Sequence, residues 1–422
     1  MITIALLSVL ILTPTASTQS TASDEQRIIA YVDAHADEAV SLLERTVNIE
    51  SATLNQAGVR QVGKVFGSEL ESLGFNSRWI EMPKEMKRAG HLFAERTGTR
   101  GKRLLLIGHL DTVLQGKRFE RRGTRASGAG SVDMKGGDVV IIYALKALQS
   151  IGALDGTRII VAMTGDEEYP GLPLSISRRD LVEAAKRSDA ALAFEAAAGD
   201  TATVARRGSS SWRLEVTAQT GHSSGIFTEG AGSGAVFEAS RILNSFYQEL
   251  KGEQYLTFNP GVIVGGLDVT YDRAEKRGTA SGKLNVIAKT VVVEGDLRFI
   301  SEEQKMRARS RMQEIVARNL PGAKAKISFE DSYPAMSPTP GNYELLRILD
   351  EASRASGLGQ VTAYDPGRRG AGDVSFVAPY VSGLDGLGAR GGGSHEPEEF
   401  VELDTLPLLI KRAALLIYRL TR

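Results

Sequence analysis

The chain has 422 residues, 42% of them apolar and 24% charged, the balance of a globular protein with room for more than one core. Its 51 acidic residues offset 51 basic ones, and no Lys/Arg run stands out, so charge gives no support to a nucleic-acid partner. Cysteine is absent, which excludes disulfides, thiolate ligands and a cysteine nucleophile; any metal site must draw on His, Asp and Glu.

The apolar run Ile2 to Leu12 is too short to span a bilayer. With the small and polar stretch Pro14 to Ala22 behind it, it reads as a signal peptide over residues 1–22, although no Lys or Arg precedes it. The expected location is periplasmic or secreted, and no later run reaches membrane-spanning length. Apolar spacing predicts helices over Glu25 to Ile49 and Gly58 to Leu73. Short apolar runs at Leu104 to Ile107, Ile159 to Met163 and Ala190 to Phe194 read as buried parallel strands, with a helix from Gly136 to Gln149 between the first two. This alternation predicts an open, mostly parallel α/β sheet.

From Arg207 the pattern changes. Trp212, Leu214 and Val216 alternate with polar neighbours, as in a half-exposed strand. A helix over Gly234 to Leu250, strands near Gly261 to Val264 and Val286 to Leu297, a helix over Glu302 to Asn319 and a strand over Lys324 to Glu330 complete a β-α-β-β-α-β order. That is the order of a ferredoxin-like α+β unit. It reads as an insertion over residues 207–334, because α/β features resume with helices at Asn342 to Ala355 and Leu406 to Leu420 and a strand-like run from Val381 to Leu387. Residues 23–206 and 335–422 then form one domain, split by the insertion.

Polar clusters follow the apolar runs: Gly108-His109-Leu110-Asp111-Thr112-Val113, Thr164-Gly165-Asp166-Glu167-Glu168 and Phe194-Glu195. Another, Gly128-Ala129-Gly130-Ser131-Val132-Asp133-Met134-Lys135-Gly136-Gly137, opens a helix, and His395 stands late in the chain. In an open α/β sheet such clusters converge at the carboxyl edge of the strands. His109, Asp133, Glu168, Glu195 and His395 supply what two zinc ions about 3.5–4 Å apart need if one carboxylate is shared. Taken singly, each residue also has a plainer role. Asp111 could cap a turn, Glu167 and Glu168 could be solvated charges, and Glu195 or Arg298 could pair with a neighbour of opposite charge. His35 and His91 read as surface residues. The Gly128-x-Gly130-x-x-Asp133 segment is not a dinucleotide fingerprint, since an Asp stands where the last glycine belongs.

In order and spacing these motifs resemble the dizinc carboxypeptidase and aminoacylase family, which includes the bacterial glutamate carboxypeptidases, succinyl-diaminopimelate desuccinylase and acetylornithine deacetylase. The resemblance implies a zinc-peptidase-like catalytic domain with an inserted lid and dimerisation domain, two Zn2+ per subunit (Co2+ or Mn2+ as substitutes), and a homodimer. It implies His109, Asp133 and Glu195 on one ion and Asp133, Glu168 and His395 on the other. Asp111 would orient His109 through its distal ring nitrogen, and Glu167 would be the general base. His222, in Thr220-Gly221-His222-Ser223, would hold the oxyanion in the partner's site. Asn285 and Arg298 would grip the substrate carboxylate, and Arg207 matches the third position of a family Ala-Arg-Lys-Gly segment. No role follows for Arg368, Arg369 or the Gly370-Ala371-Gly372-Asp373 segment. The implied substrate is a small peptide or N-acyl amino acid. An N-acyl-amino-acid deacylase or dipeptidase would use the same chemistry, and a non-catalytic binding protein could keep the same fold.

Overall fold

A computed structural model describes residues 22–422, so the leader expected over 1–22 lies, but for Ala22, outside the described residues. Six strands form the central sheet, in the order Asn76–Ile80, His91–Arg96, Thr157–Thr164, Arg100–His109, Ala190–Ala193, Gly383–Leu384. The last four run parallel. The first two form an antiparallel edge that the sequence did not announce. Alternate residues of the central strand face opposite layers. Leu104 and Leu106 join one apolar cluster with the helices Gln56–Ser72, Lys135–Ser150, Pro340–Ala355 and Leu406–Leu420. Leu105 and Ile107 join another with the short helices Arg179–Lys186 and Val374–Val377. Burial on both faces is why these strands read as unbroken apolar runs.

Local chemistry sets several boundaries. Ser23 and Gln26 form a reciprocal capping box at the helix Asp24–Ala34. The single helix expected over 25–49 is two, Asp24–Ala34 and Ala36–Val47. His35 breaks it: its ring stacks on Tyr31 and its Nδ1 bonds the Tyr31 carbonyl at 2.7 Å. The run 381–387 joins the central sheet only at Gly383–Leu384, and Asp385 bridges to Thr203 instead.

Residues 208–331 build a separate four-stranded antiparallel sheet, ordered Thr257–Gly266, Thr290–Phe299, Gly208–Ala218, Ala323–Asp331. Its helices, Gly234–Leu250 and Glu302–Ala317, cover one face and enclose Trp212, Leu214, Val216, Phe246 and Met312. A hairpin, Asp268–Asp272 with Arg277–Ser281, adds to the expected order. Among the described residues no helix is long and apolar enough to cross a membrane.

His91 is not a surface residue. It is fully buried at the start of its strand, where Nδ1 accepts the Gly165 amide N–H at 3.1 Å and Nε2 donates to the Ser177 carbonyl at 2.8 Å. With both ring nitrogens satisfied, burial costs little while the ring stays neutral. Burial accordingly holds its pKa below the usual histidine value.

Candidate metal centre

Three adjacent parallel strands end at one edge of the central sheet, and each delivers part of the site. His109 closes Arg100–His109, Glu167 and Glu168 follow Thr157–Thr164, and Glu195 follows Ala190–Ala193. Asp133 lies in the turn before Lys135–Ser150. That helix can approach only because position 137 is glycine: a Cβ there would stand 1.9 Å from the Phe194 carbonyl oxygen. His395 comes from the loop between Gly391–Gly392 and Phe400–Glu402 and adopts φ 68°, a region sparse for non-glycine residues.

The two imidazoles face opposite oxygens of one carboxylate. His109 Nε2 is 3.3 Å from Asp133 Oδ1, and His395 Nε2 is 3.4 Å from Asp133 Oδ2. His109 Nε2 is also 3.8 Å from Glu195, and His395 Nε2 is 3.1 Å from Glu168. Two atoms each about 2.0–2.1 Å from one tetrahedral ion stand roughly 3.3 Å apart, so these gaps fit ligands of a shared cation. Ligand-type atoms of His109, Glu167 and Glu195 lie within 4.8 Å of one another, as do those of His109, Asp133 and Glu168. Proximity alone thus groups Glu167 with expected ligands. The imidazole contacts sort the set differently: His109 with Asp133 and Glu195, His395 with Asp133 and Glu168. They are the narrower criterion, because each reports a single pair of donor atoms.

The electrostatics call for cations. Burial opposes charge on Asp133, yet the two histidines hold its carboxyl far below the usual range. Burial also opposes charge on His109, but Asp133 and Glu195 raise its pKa well above normal. His395, bonded to Asp133 and Glu168, is pushed up to about 11. Burial and Asp133 push Glu195 up to about 7, and burial with Glu195 beside it raises Glu167 well above the carboxylate range. Imidazolium protons here stand where divalent ions would relieve four crowded carboxylates. An all-nitrogen-and-oxygen donor set of this kind suits zinc and its neighbours.

Surrounding residues lock the set. Asp111 does so differently from the expectation: its backbone carbonyl, not its carboxylate, meets His109 Nδ1 at 3.0 Å, and Oδ1 stands off at 3.6 Å. The carboxylate instead accepts the amide N–H groups of Glu167 and Glu168, and the Thr53 hydroxyl. Burial pushes the Asp111 carboxyl up to about 6. Glu399, unnoticed in the sequence, accepts the N–H groups of Gly130, Val132 and Asp133 and so ties the His395 segment to the Asp133 turn.

Four sequence-selected residues do not join this cluster. Arg207 donates to the Gly367 carbonyl at 3.0 Å; its neighbour Arg206 is the one buried beside Glu195, at 4.0 Å, and paired with Asp385. Arg298 pairs with Asp296 at 2.9 Å on the helix-free face of the second sheet. His222 and Asn285 sit together at the other end of that sheet, where the Ser223 N–H donates to the Asn285 carbonyl.

The family model described as Peptidase family M20/M25/M40 matches residues 105–419. Carboxypeptidase G2 of Pseudomonas sp. (strain RS-16) is 29% identical over 428 residues, covering 96% of this chain and 95% of that one. The aminopeptidase PepT of Bacillus cereus ATCC 10987 superposes with TM-score 0.71 at 15% identity, over 92% of this chain and 99% of the other. The YXEP protein of Bacillus subtilis, described as a dinuclear metal-binding peptidase of the M20 family, superposes at 0.64 with 13% identity, over 92% and 99%.

Proposed function

Because this chain belongs to peptidase family M20/M25/M40 and is a metal-dependent peptidase, we propose that it is a dizinc carboxypeptidase hydrolysing an amide bond beside a free carboxylate, as a glutamate carboxypeptidase does. The observation that carries this reading is Asp133, which offers one oxygen to each of two imidazoles. Similarity to carboxypeptidase G2 along nearly the whole chain favours the carboxypeptidase branch.

When bound, the two ions supply Lewis-acid polarisation of the scissile carbonyl and acidify a water. Glu167, beside the expected ligands but outside their imidazole contacts, takes the water's proton and passes it to the leaving amine. Arg298 and Asn285 hold the substrate carboxylate from the inserted unit, which serves as a lid. His222 stabilises the oxyanion in the partner subunit's site. Support for this cross-subunit role is its exposed position, apart from its own chain's ligand cluster, together with an apolar outer surface on the lid. Val236, Phe237 and Tyr247 are exposed on the helix Gly234–Leu250, and Ile263 on the end strand Thr257–Gly266. The leader reading makes the enzyme an exported one, which N-terminal sequencing of the mature protein tests.

Assay of the zinc-loaded protein on N-acylated glutamates, other C-terminal amino acids, dipeptides and N-acetyl amino acids tests the substrate class. Preference for peptides and folate-type conjugates ending in a free glutamate supports the reading. Faster turnover of N-acetyl amino acids moves it to a deacylase.

A further inference from the structure

The Gly370-Ala371-Gly372-Asp373 segment has no part in the chemistry above, yet Asp373 is almost fully buried beneath the Thr164–Glu168 turn. Its Oδ2 accepts the Thr164 hydroxyl at 2.6 Å, and its Oδ1 accepts Arg178 Nε at 2.6 Å. Arg178 is as deeply buried and spans the turn. It donates to Asp166 Oδ1 at 2.5 Å and to the Asp166 backbone carbonyl at 3.0 Å. Asp166 Oδ2 in turn accepts the Gly171 N–H and the Ser177 hydroxyl. From the other side, the Tyr333 hydroxyl donates to the carbonyl of Glu167 at 3.1 Å, with its ring edge-on to Phe376, three residues past Asp373. Tyr333 lies on the return from the lid, where its own carbonyl accepts the Ser209 N–H.

We propose that Asp373 and Arg178, with Tyr333, are positioning residues that clamp the Asp166–Glu168 backbone so that adjacent side chains serve different tasks, Glu167 on the reacting water and Glu168 on a metal. This rests on the base and ligand roles given above. The need is geometric. Consecutive residues must point apart and stay so while Glu167 gains and loses a proton, and the turn that carries them belongs to no strand or helix. Asp111 holds both N–H groups of the pair, Tyr333 the carbonyl between them, and the Arg178 bridge the residues just before them. A buried Arg between two carboxylates keeps its fork fixed in one plane, which a single carboxylate or a Lys would not. Because Tyr333 is also bonded to the first lid strand, the clamp links lid position to base position.

The test uses full-length, zinc-loaded Asp373→Asn, Arg178→Lys, Thr164→Val and Tyr333→Phe. Displacing a reacting group by about 1 Å can cost on the order of a hundredfold in rate. The clamp therefore predicts kcat lower by about ten- to a hundredfold for Asp373→Asn and Arg178→Lys, and several-fold for Tyr333→Phe and Thr164→Val, with KM near wild type. It also predicts weaker zinc binding in competition with a chelating dye for Asp373→Asn. If the buried-charge variants fail to fold, Tyr333→Phe and Thr164→Val decide. Wild-type kcat in both of these overturns the proposal, as does a loss confined to thermal stability. Activity surviving in Glu167→Gln would defeat the base assignment instead, and the zinc readout of Asp373→Asn would still report on the clamp.

Discussion

The carboxylate of Asp111 accepts the backbone N–H of Glu167 at 3.0 Å, while the side chain of Glu167 remains outside the imidazole contacts that pick out the metal ligands. Backbone anchoring with a free side chain is what a base beside a metal requires. Glu167→Gln should keep its metal and lose about 10²–10⁴-fold in kcat, the usual share of general-base catalysis. Glu168→Gln should lose metal at one site instead, since Glu168 faces His395 at 3.1 Å. Turnover of each variant beside its zinc content separates the neighbours, and equal behaviour would contradict the division of labour.

Arg298 now holds Asp296 in a pair exposed by about two-fifths on each side. Such pairs contribute about 0–1 kcal/mol, whereas a hydrogen bond to a substrate carboxylate is worth roughly 1.5–3 kcal/mol. Substrate should therefore win the arginine. Arg298→Ala should lower kcat/KM on a free-acid substrate about ten- to a hundredfold and leave its amide analogue nearly unchanged. Undiminished discrimination between acid and amide would move the anchor elsewhere, with Arg207 next to be tried.

Mixing two inactive variants tests the cross-subunit role of His222. Glu167→Gln and His222→Ala homodimers should each be impaired. A heterodimer formed from them contains one site with an intact Glu167 from one chain and an intact His222 from the other, so activity should reappear on mixing and subunit exchange. A mixture that stays at the sum of its parts, or a fully active monomer in sedimentation, would contradict the arrangement.

His91 gives a pH signature of folding. Burial lowers its folded-state pKa below the ordinary 6.5. The unfolded chain then binds the extra proton first, so its contribution to stability is complete above about pH 6.5 and declines as pH falls from there towards the folded-state value. In chelator-stripped protein, wild type should lose more stability than His91→Gln between about pH 7 and pH 5, measured by urea midpoints. Parallel curves for the two proteins would refute the buried neutral imidazole.

The parallel strands were legible because burial on both faces leaves unbroken apolar runs, and the inserted unit because one covered face leaves alternation. His109, Glu168 and Glu195 stand out in the sequence because they lie just past such runs, and Asp133 because it opens a helix, whereas His395, in a glycine-rich loop, stands out only through the resemblance. What escaped was set by partners distant in sequence. His91 looks exposed until Gly165 and Ser177 close on it, Asp111 reaches amides 56 and 57 residues away, and Glu399 reaches back 266 residues to Asp133. The break at His35 is hidden in the sequence because the apolar stripe continues through it, while the backbone leaves the helical region there and the ring bonds the Tyr31 carbonyl. Motif position singles out Arg207, although it is Arg206 whose side chain turns inward to Glu195.

Two ions sharing Asp133 should be countable by titrating chelator-stripped protein with zinc. With bound zinc and hydrolysis of an N-acyl glutamate followed together, activity should saturate at two ions per chain, and Asp133→Ala should show neither tight stoichiometric binding nor turnover. Full activity at one ion per chain, or an Asp133→Ala variant that still binds two, would contradict it.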